Sequence, residues 1–408
     1  MKNVAAAIDF GTKKIVTLVA ESGGFSRCDI IGSGTVEYDG YSQGRWNTPD
    51  KLVQAIRNTI SAAEVEANNQ NKGANIRIKE LYVGVPCEHI RVLSSTEEIQ
   101  VGSADGRVSE EDTNAIQDAA AEKLGLMSQG CVVIHRSPAW FTVDGGKKTM
   151  SPVGLSGQVL KAHVSFVLAD PEFIEDIRML FDGLGITIMG FLSSSMGEAL
   201  LLLPIDERDR AAVLIDVGYL NTEFSVIEGD AIVYHCVLPL GGGHIAADLA
   251  LELEIPMAAA ERIKHNFIFS PDDLDPVQNP EIIDGTGRKL TFEHETVARI
   301  IENDTAEIAE MVALAIEDAK AHLGPRSQVF MTGGGLAMMR GGREYLSAKL
   351  NRPVKTPTAK AAKLNSPKYA SALGLVDLVF DSIEQRAPQD GGLTGRLAGG
   401  IRGLFKKK

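Results

Sequence analysis

The sequence predicts an α/β protein of two lobes, built from one duplicated unit. Two segments and one spacing carry that prediction. AAIDFGTKKIVTLVA (residues 6–20) and AVLIDVGYLNTEFSVIEG (212–229) share a design: an apolar run, Asp-x-Gly, a few small or polar residues, and a second β-rich run. Each reads as two strands joined by a tight turn. Asp9 and Asp216 stand about half a chain apart, the separation that a duplicated two-lobed protein requires.

Composition narrows the class. The chain has 408 residues, room for two or three domains, with 44% hydrophobic and 23% charged residues. Cys28, Cys87, Cys131 and Cys236 lie far apart with no C-x-x-C pair. That spacing speaks against a disulfide framework and a zinc site and suits a reducing compartment. The first apolar run is broken by Asp9, so the N-terminus reads as neither a signal peptide nor a membrane span. Net charge is −13, yet the last 17 residues hold five cations and no acid. A body that acidic excludes nucleic acid as a broad partner, and positive charge is local to one end.

Between the two Asp-x-Gly segments, residues 50–68 have helical periodicity after a Thr48-Pro49-Asp50 start, and KELYVGVP (79–86) reads as a buried strand closed by proline. Residues 87–166 form a block of strands around one helix, which opens at Ser109 with Glu111 and Asp112 near its positive end. A strand at 159–171, a helix stopped by Gly183 and Gly185, and a hydrophobic helix after Ser193–Ser195 lead into the second hairpin. Residues 245–325 are mostly helical, interrupted by the loop SPDDLDPVQNP. SQVFMTGGGLAMMRGGREYLSAKL (327–350) reads as strand, glycine turn and helix, and residues 369–385 as an apolar helix.

An Asp-x-Gly hairpin offers a nucleotide two things. Backbone N–H groups in a turn without bulky side chains point at phosphate oxygens, and the carboxylate holds Mg²⁺ through water, since a hard cation prefers oxygen. Two facing hairpins would clamp phosphates with the metal between them. Gly333, Gly334 and Gly335, read as following a strand and opening a helix, would let backbone pass close to a base and sugar.

Taken in this order, these pieces resemble the actin, Hsp70 and sugar-kinase ATPase superfamily: two phosphate loops, two connecting helices (about 194–203 and 370–385) and an adenosine turn. Within it the chain resembles the bacterial cell-division family FtsA over essentially its full length. The most specific match is VVIHRSPAWFTVDGGKKTMSPVGLSGQVLKAHVSFVLA (132–169), with His135, Pro138, Val143-Asp144, Pro152, Gly154 and Ser156-Gly157 as that family's motif. His135, His163 and His235 each read as structural histidines, with no Ser/His/Asp or metal-ligand spacing around them.

The resemblance implies an actin-like two-lobed fold with a duplicated ribonuclease-H-like core and an inserted FtsA-type α+β subdomain. It divides the chain into 1–84 plus 167–195 (first lobe), 85–166 (inserted subdomain), 196–244 plus 326–385 (second lobe), 245–325 (helical subdomain) and 386–408 (linker and tail). Asp9, Gly11, Thr12 and Lys13 match the first phosphate loop; Asp216, Gly218, Asn221 and Thr222 match the second. Gly241, Gly242, Gly243 and Gly333–Gly335 match nucleotide-lining turns, and Glu261 and Lys264 the helix that reaches ribose and base. ATP and Mg²⁺ are the implied cofactors, with Asp9 and Asp216 holding the metal through water. The family's second loop is Asp-x-Gly-Gly-Gly-Thr-Thr-Asp, whereas this chain has DVGYLNTE, with Tyr219 and Leu220 in place of two glycines. Bulky side chains there keep backbone away from a γ-phosphate, so little or no ATP turnover is expected.

The tail GLTGRLAGGIRGLFKKK places Leu393, Leu397, Ile401, Leu404 and Phe405 at i, i+4, i+8, i+11 and i+12, within about a third of a helix circumference. Arg396, Arg402 and Lys406 flank that face. Glycines at 392, 395, 399, 400 and 403 each cost about 1 kcal/mol of helix propensity, so the segment is expected to order only when its apolar face finds a partner. An anionic membrane surface fits: each cation contributes about 1 kcal/mol there, and each buried apolar side chain about 1.5–3 kcal/mol before ordering costs. The family implies the rest: filaments of this chain tethering the tubulin-like protein FtsZ to the inner membrane face, other division proteins as further partners, and the FtsZ C-terminal peptide received by residues 245–325. Arg262, Lys264 and Arg288 offer a basic surface for such a peptide. Two other readings share the fold: a pilus-assembly scaffold, which lacks such a tail, and a small-molecule kinase, which has no use for one.

Overall fold

The apolar run before Asp9 becomes strand β1 (Val4–Phe10), and the run after Gly11 becomes β2 (Lys14–Ser22), paired antiparallel with Asp9 opposite Val16. The computed structural model describes residues 3–23, 27–42, 44–71, 75–126, 130, 132–269, 279–283, 287–359 and 363–386. The cationic tail and most of the 270–280 loop therefore lie outside the described residues.

β3 (Cys28–Glu37) completes a meander, and β4 (Tyr41–Ser42) and β5 (Arg45–Trp46) form a small ribbon beyond it. Helix α1 (Pro49–Gln70) starts on a proline, where the missing N–H costs nothing, and buries Leu52, Ile56, Thr59, Ile60, Ala63 and Ala67. It lies so close to β3 that a Cβ on Gly34 would stand 1.9 Å from the Thr59 carbonyl oxygen. β6 (Glu80–Val85) then pairs parallel to β1.

The chain next leaves the lobe to build β7 (Ile90–Gln100), α2 (Glu110–Lys123), β8 (Val132–Val143) and β9 (Val159–Ala169), an antiparallel sheet ordered β7-β9-β8. α2 opens on a reciprocal cap: Ser109 Oγ accepts the Asp112 N–H, and the Asp112 carboxylate accepts the Ser109 N–H at 2.8 Å. Pro138 is tolerated because β8 is an edge strand. This sheet has its own core of Ile116, Phe141, Leu160, Val164 and Phe166. Its two ends meet where the Asp170 N–H donates to the His89 carbonyl at 2.8 Å.

Helix α3 (Pro171–Leu184) ends at Gly185 with φ 70°, and β10 (Thr187–Ser193) pairs parallel to β6 before α4 (Ser194–Leu202) and the short α5 (Ile205–Arg208). The design then repeats. β11 (Ala212–Val217), β12 (Thr222–Glu228) and β13 (Ala231–Leu238) form the second meander. Helices α6 (Gly242–Glu252) and α7 (Met257–Asn266), the hairpin β14 (Glu281–Ile283) and β15 (Lys289–Thr291), and helix α8 (His294–Asp318) follow. β16 (Val329–Thr332), α9 (Gly342–Leu350), β17 (Val354–Lys355) and α10 (Ala370–Arg386) are the last of the described elements.

The sheets run β3-β2-β1-β6-β10 and β13-β12-β11-β16-β17, with parallel pairing at the same places. One topology is thus used twice, as the paired Asp-x-Gly segments imply. One local expectation fails: the triple glycine does not open a helix, since α9 begins only at Gly342 after a turn that Gly341 makes at φ 79°.

Helices α4 and α10 cross between the sheets in backbone contact. A Cβ on Gly374 would lie 2.3 Å from the Glu198 nitrogen, and one on Gly197 2.6 Å from the Gly374 carbonyl carbon. Gly374→Ala is therefore expected to destabilise the protein by about 1–3 kcal/mol, although alanine gains about 1 kcal/mol of helix propensity. Urea unfolding that finds the variant as stable as the wild type would contradict the crossing.

Candidate functional site

Both Asp-x-Gly turns open on one cleft of about 560 Å³ between the sheets. From the first turn, Asp9, Gly11, Thr12 and Lys13 line it; from the second, Asp216, Gly218 and Asn221 do. Glu261 and Lys264 of α7 and Gly333–Gly335 after β16 complete the wall. Thr222 and Gly241–Gly243 stand behind it. The Thr222 hydroxyl donates to the Leu240 carbonyl at 2.7 Å, while the Gly242 and Gly243 N–H groups donate to the carbonyls of Gly218 (2.9 Å) and Tyr219 (2.7 Å).

The glycines in these turns answer to one another. A Cβ on Gly335 would stand 2.3 Å from the Gly218 carbonyl oxygen, and one on Gly242 2.5 Å from the Gly335 Cα. Gly333 also holds φ 94°, where any side chain is strained. Three turns from distant sequence thus pack backbone on backbone, which presents the Asp216 turn rigidly to the cleft.

Asp9 is 8% exposed and held from both crossing helices: Ser194 Oγ of α4 donates to its Oδ1 at 2.7 Å, and Ser371 Oγ of α10 to its Oδ2 at 2.9 Å. Burial nonetheless raises its pKa above the usual carboxylate range, against the pull of those serines and Lys14. Asp216 is pushed up to about 7 by burial and then by the charge of Glu223. Glu198, on α4, is raised well above its ordinary value by burial and by Asp216, Glu223 and Asp9. Glu223 goes the other way: His235, Ser195 and Ser225 beside it outweigh burial and hold it low. Lys14 stands among these carboxylates, its pKa lowered by burial although Asp9 and Asp216 favour its charge. Asp216 Oδ1 and Glu198 Oε1 are buried without a hydrogen-bond partner.

A second group faces the mouth. Glu261 lies 2.9 Å from Lys264 Nζ, 3.3 Å from His265 Nε2 and 3.7 Å from Lys13 Nζ. His265, Lys264 and Lys13 hold its pKa down to about 2 in spite of burial. Lys264 is 1% exposed, with Nζ donating to the Gly242 carbonyl at 2.7 Å. It therefore cannot share an outer basic docking surface with Arg262 and Arg288, and that expectation is corrected. Tyr219 and Leu220, the bulky departures in the second turn, bridge to the first: Lys13 Nζ lies 4.2 Å from the Tyr219 ring centroid, and the Leu220 N–H donates to Thr12 Oγ1 at 3.1 Å. Asn221 donates its amide to Glu88.

Sequence reasoning missed Lys14, Glu88, Glu198, Ser194 and Ser371. Lys14 had a signal, since it follows Lys13 directly and opens β2. The others lie in helices or turns far from either motif, and only the crossing of α4 and α10 brings the serines to Asp9. Chemically the cleft sets four buried carboxylates against the single buried Lys14 and places Lys13 and Lys264 at its mouth, a setting for a polyphosphate that brings a divalent cation. Among the described residues, no group of three or more His, Cys, Asp or Glu side chains surrounds one point. The cation would thus be shared among Asp9, Asp216, phosphate oxygens and water, and the unpartnered Asp216 oxygen fits that demand.

Known proteins place the chain. Residues 213–374 match the family model described as cell division protein FtsA, and residues 87–168 match the SHS2 domain inserted in FtsA. The cell division protein FtsA of Neisseria meningitidis serogroup B is 25% identical over 411 residues, covering 97% of this chain and 95% of its own. That of Escherichia coli K12 is 24% identical, covering 92% and 90%, and that of Bacillus subtilis 24%, covering 91% and 82%. Among solved structures, the PilM–PilN type IV pilus biogenesis complex superposes with a TM-score of 0.60 at 16% identity, covering 92% of this chain and 98% of that one. MreB5 of Spiroplasma citri bound to AMPPNP gives 0.55 at 12%, covering 94% and 98%. These likenesses show the actin-like fold.

The electrostatics predict a trade-off. Asp216 binds its proton more tightly folded than unfolded, so its contribution to stability is present below about pH 4 and lost as pH rises through about 7. In metal-free buffer at pH 8, Asp216→Asn should melt about 2–4 °C above the wild type while binding Mg²⁺-nucleotide at least about tenfold more weakly. Differential scanning calorimetry with a nucleotide titration checks both halves.

Proposed function

The chain belongs to the FtsA family of bacterial cell-division proteins, and from that premise we propose that it is an ATP-binding, polymerising adaptor that tethers FtsZ filaments to the cytoplasmic membrane. The observation that carries the nucleotide half is the shared cleft: two topologically equivalent hairpins turn Asp9 and Asp216 toward one space. Phosphates would lie between the two turns, against Thr12, Lys13, Lys14, Gly218 and Asn221. Asp9 and Asp216 would hold Mg²⁺ through water, and the ion would supply charge neutralisation there. Glu261 and Lys264, which line the same cleft, would meet the ribose, and Gly333–Gly335 the base.

Turnover is another matter. Tyr219 and Leu220 occupy the second turn and already contact Lys13 and Thr12, so the reading is of a binder with little hydrolysis. ATP-bound subunits would add head to tail, an open heterologous contact. The domain division at 84/85, 166/167, 195/196, 244/245, 325/326 and 385/386 is part of this proposal, with 245–325 as the receiver of the FtsZ C-terminal peptide and other division proteins as further partners. Among the described residues, no helix is long and apolar enough to cross a membrane. Attachment at the division site is assigned instead to Leu393, Leu397, Ile401, Leu404 and Phe405, with Arg396, Arg402 and Lys406 beside them. A polymer presents many such tails at once, and weak single attachments then add up.

Co-sedimentation with anionic vesicles tests this. The full chain should pellet, and a chain ending at Gln385 should stay in solution; an intact protein that ignores anionic vesicles would overturn the adaptor reading. Pull-down by the FtsZ C-terminal peptide, with and without ATP, tests the partner. With Mg²⁺-ATP the purified protein should release less than about one phosphate per subunit per minute, orders of magnitude below ordinary turnover.

A further inference from the structure

The inserted block carries the chain's most specific motif, and the cleft chemistry leaves its histidine without a task. His135 lies on β8, where the register against β9 slips between Val133 and His135. A bulge of this kind re-aims a side chain. Here it lets two successive residues be buried: Ile134 joins the core of the first lobe, and His135 is 2% exposed. The His135 ring reaches out of the inserted sheet altogether. Its Nε2 accepts the backbone N–H of Ser193 at 2.8 Å. Burial lowers the ring's pKa to about 4, so the imidazole is neutral, with its proton on Nδ1 and Nε2 free to accept.

Ser193 is the point where β10 becomes α4. It is fully buried, and its Oγ accepts the Met196 N–H at 3.2 Å, capping the helix. Among the described residues β10 is the edge strand of its sheet, so no further strand of that sheet takes the buried N–H. The next residue is Ser194, whose hydroxyl donates to Asp9 Oδ1. One hydrogen bond and one peptide unit thus lead from the inserted sheet to the serine that orients the cleft's first aspartate.

The same block touches the cleft a second time. Glu88, in the turn that leads into β7, accepts from Asn221 of the second Asp-x-Gly turn.

We propose that His135 is a positioning residue of the nucleotide cleft: by accepting the Ser193 N–H it fixes the first turn of α4, and so the Ser194 hydroxyl on Asp9, which makes Mg²⁺-nucleotide affinity depend on how the inserted sheet is seated. The inference rests on the cleft being a nucleotide site. Linkage makes the dependence mutual, so whatever moves the inserted sheet alters the nucleotide's hold, and nucleotide binding alters how the sheet is seated.

Full-length His135→Leu, His135→Gln and wild type are titrated with a fluorescent ATP analogue over a range of Mg²⁺ concentrations, with melting temperatures recorded. Glutamine places an acceptor close to the Nε2 position and should bind within about twofold of the wild type, whereas leucine should weaken Mg²⁺-nucleotide binding about tenfold and raise the Mg²⁺ requirement. If leucine prevents folding, His135→Asn, whose amide is too short to reach Ser193, takes its place with the same expectation. Ser194→Ala leaves the sheet untouched and should reproduce the shift, and combining it with His135→Leu should add little further loss. Wild-type affinity and Mg²⁺ dependence in the leucine or asparagine variant would overturn the proposal. So would glutamine and leucine losing affinity alike. A wild-type chain that binds no nucleotide would overturn the reading of the cleft itself, and the wild-type titration separates that failure from the other.

Discussion

The structure depends on a contact made without side chains. Where α4 and α10 cross at Gly197 and Gly374, the two backbones touch, and no other residue pair permits that approach. The crossing sets how far apart the two sheets stand and delivers Ser194 and Ser371 to Asp9 from opposite helices. Were the helices farther apart by one methyl group, both hydroxyls would withdraw, and Asp9 would be left buried with less to hold it.

The cleft stores electrostatic tension around that crossing. Asp9, Asp216, Glu198 and Glu223 share low-polarity surroundings with Lys14, and burial raises three of the four carboxylates. Such an arrangement is poor for stability and good for capture: a dication or a cation-laden polyphosphate relieves the repulsion on arrival. Glu223 is spared because His235 stands 3.3 Å from it, which keeps one permanent negative charge at the base of the site. The mouth is already balanced, with Glu261 ringed by Lys13, Lys264 and His265.

The sequence made the duplicated architecture readable because topology follows from turn spacing and apolar runs, which are local. Both hairpins, the α2 cap at Ser109 and the apolar helix ending the second lobe all follow from residues within one turn of each other. The site was half readable. Asp9 and Asp216 announce themselves by motif, whereas Ser194 and Ser371 carry no pattern and matter only through a crossing 177 residues apart in sequence. The glycines misled in an instructive way. Gly241–Gly243 looked like a ligand-facing turn, yet their missing side chains make room for the Tyr219 and Gly335 backbones. Sequence shows that a backbone is bare; it does not show what approaches it. The buried Lys264 has the same origin, since a lysine at an i, i+3 position from Glu261 looks solvated until the neighbouring turn is drawn over it.

The joined ends of the inserted sheet bear on how the chain is made. β6 needs β10 as its partner, and the whole inserted block is synthesised between them. The His89–Asp170 clasp brings the two flanks together, so a finished insert shortens the effective loop between those strands to the stretches 86–89 and 170–186, most of the latter being helix α3. β10, the last strand of that sheet to be made, therefore meets β6 at an entropic cost about 1 kcal/mol lower once β9 has paired with β7 and β8.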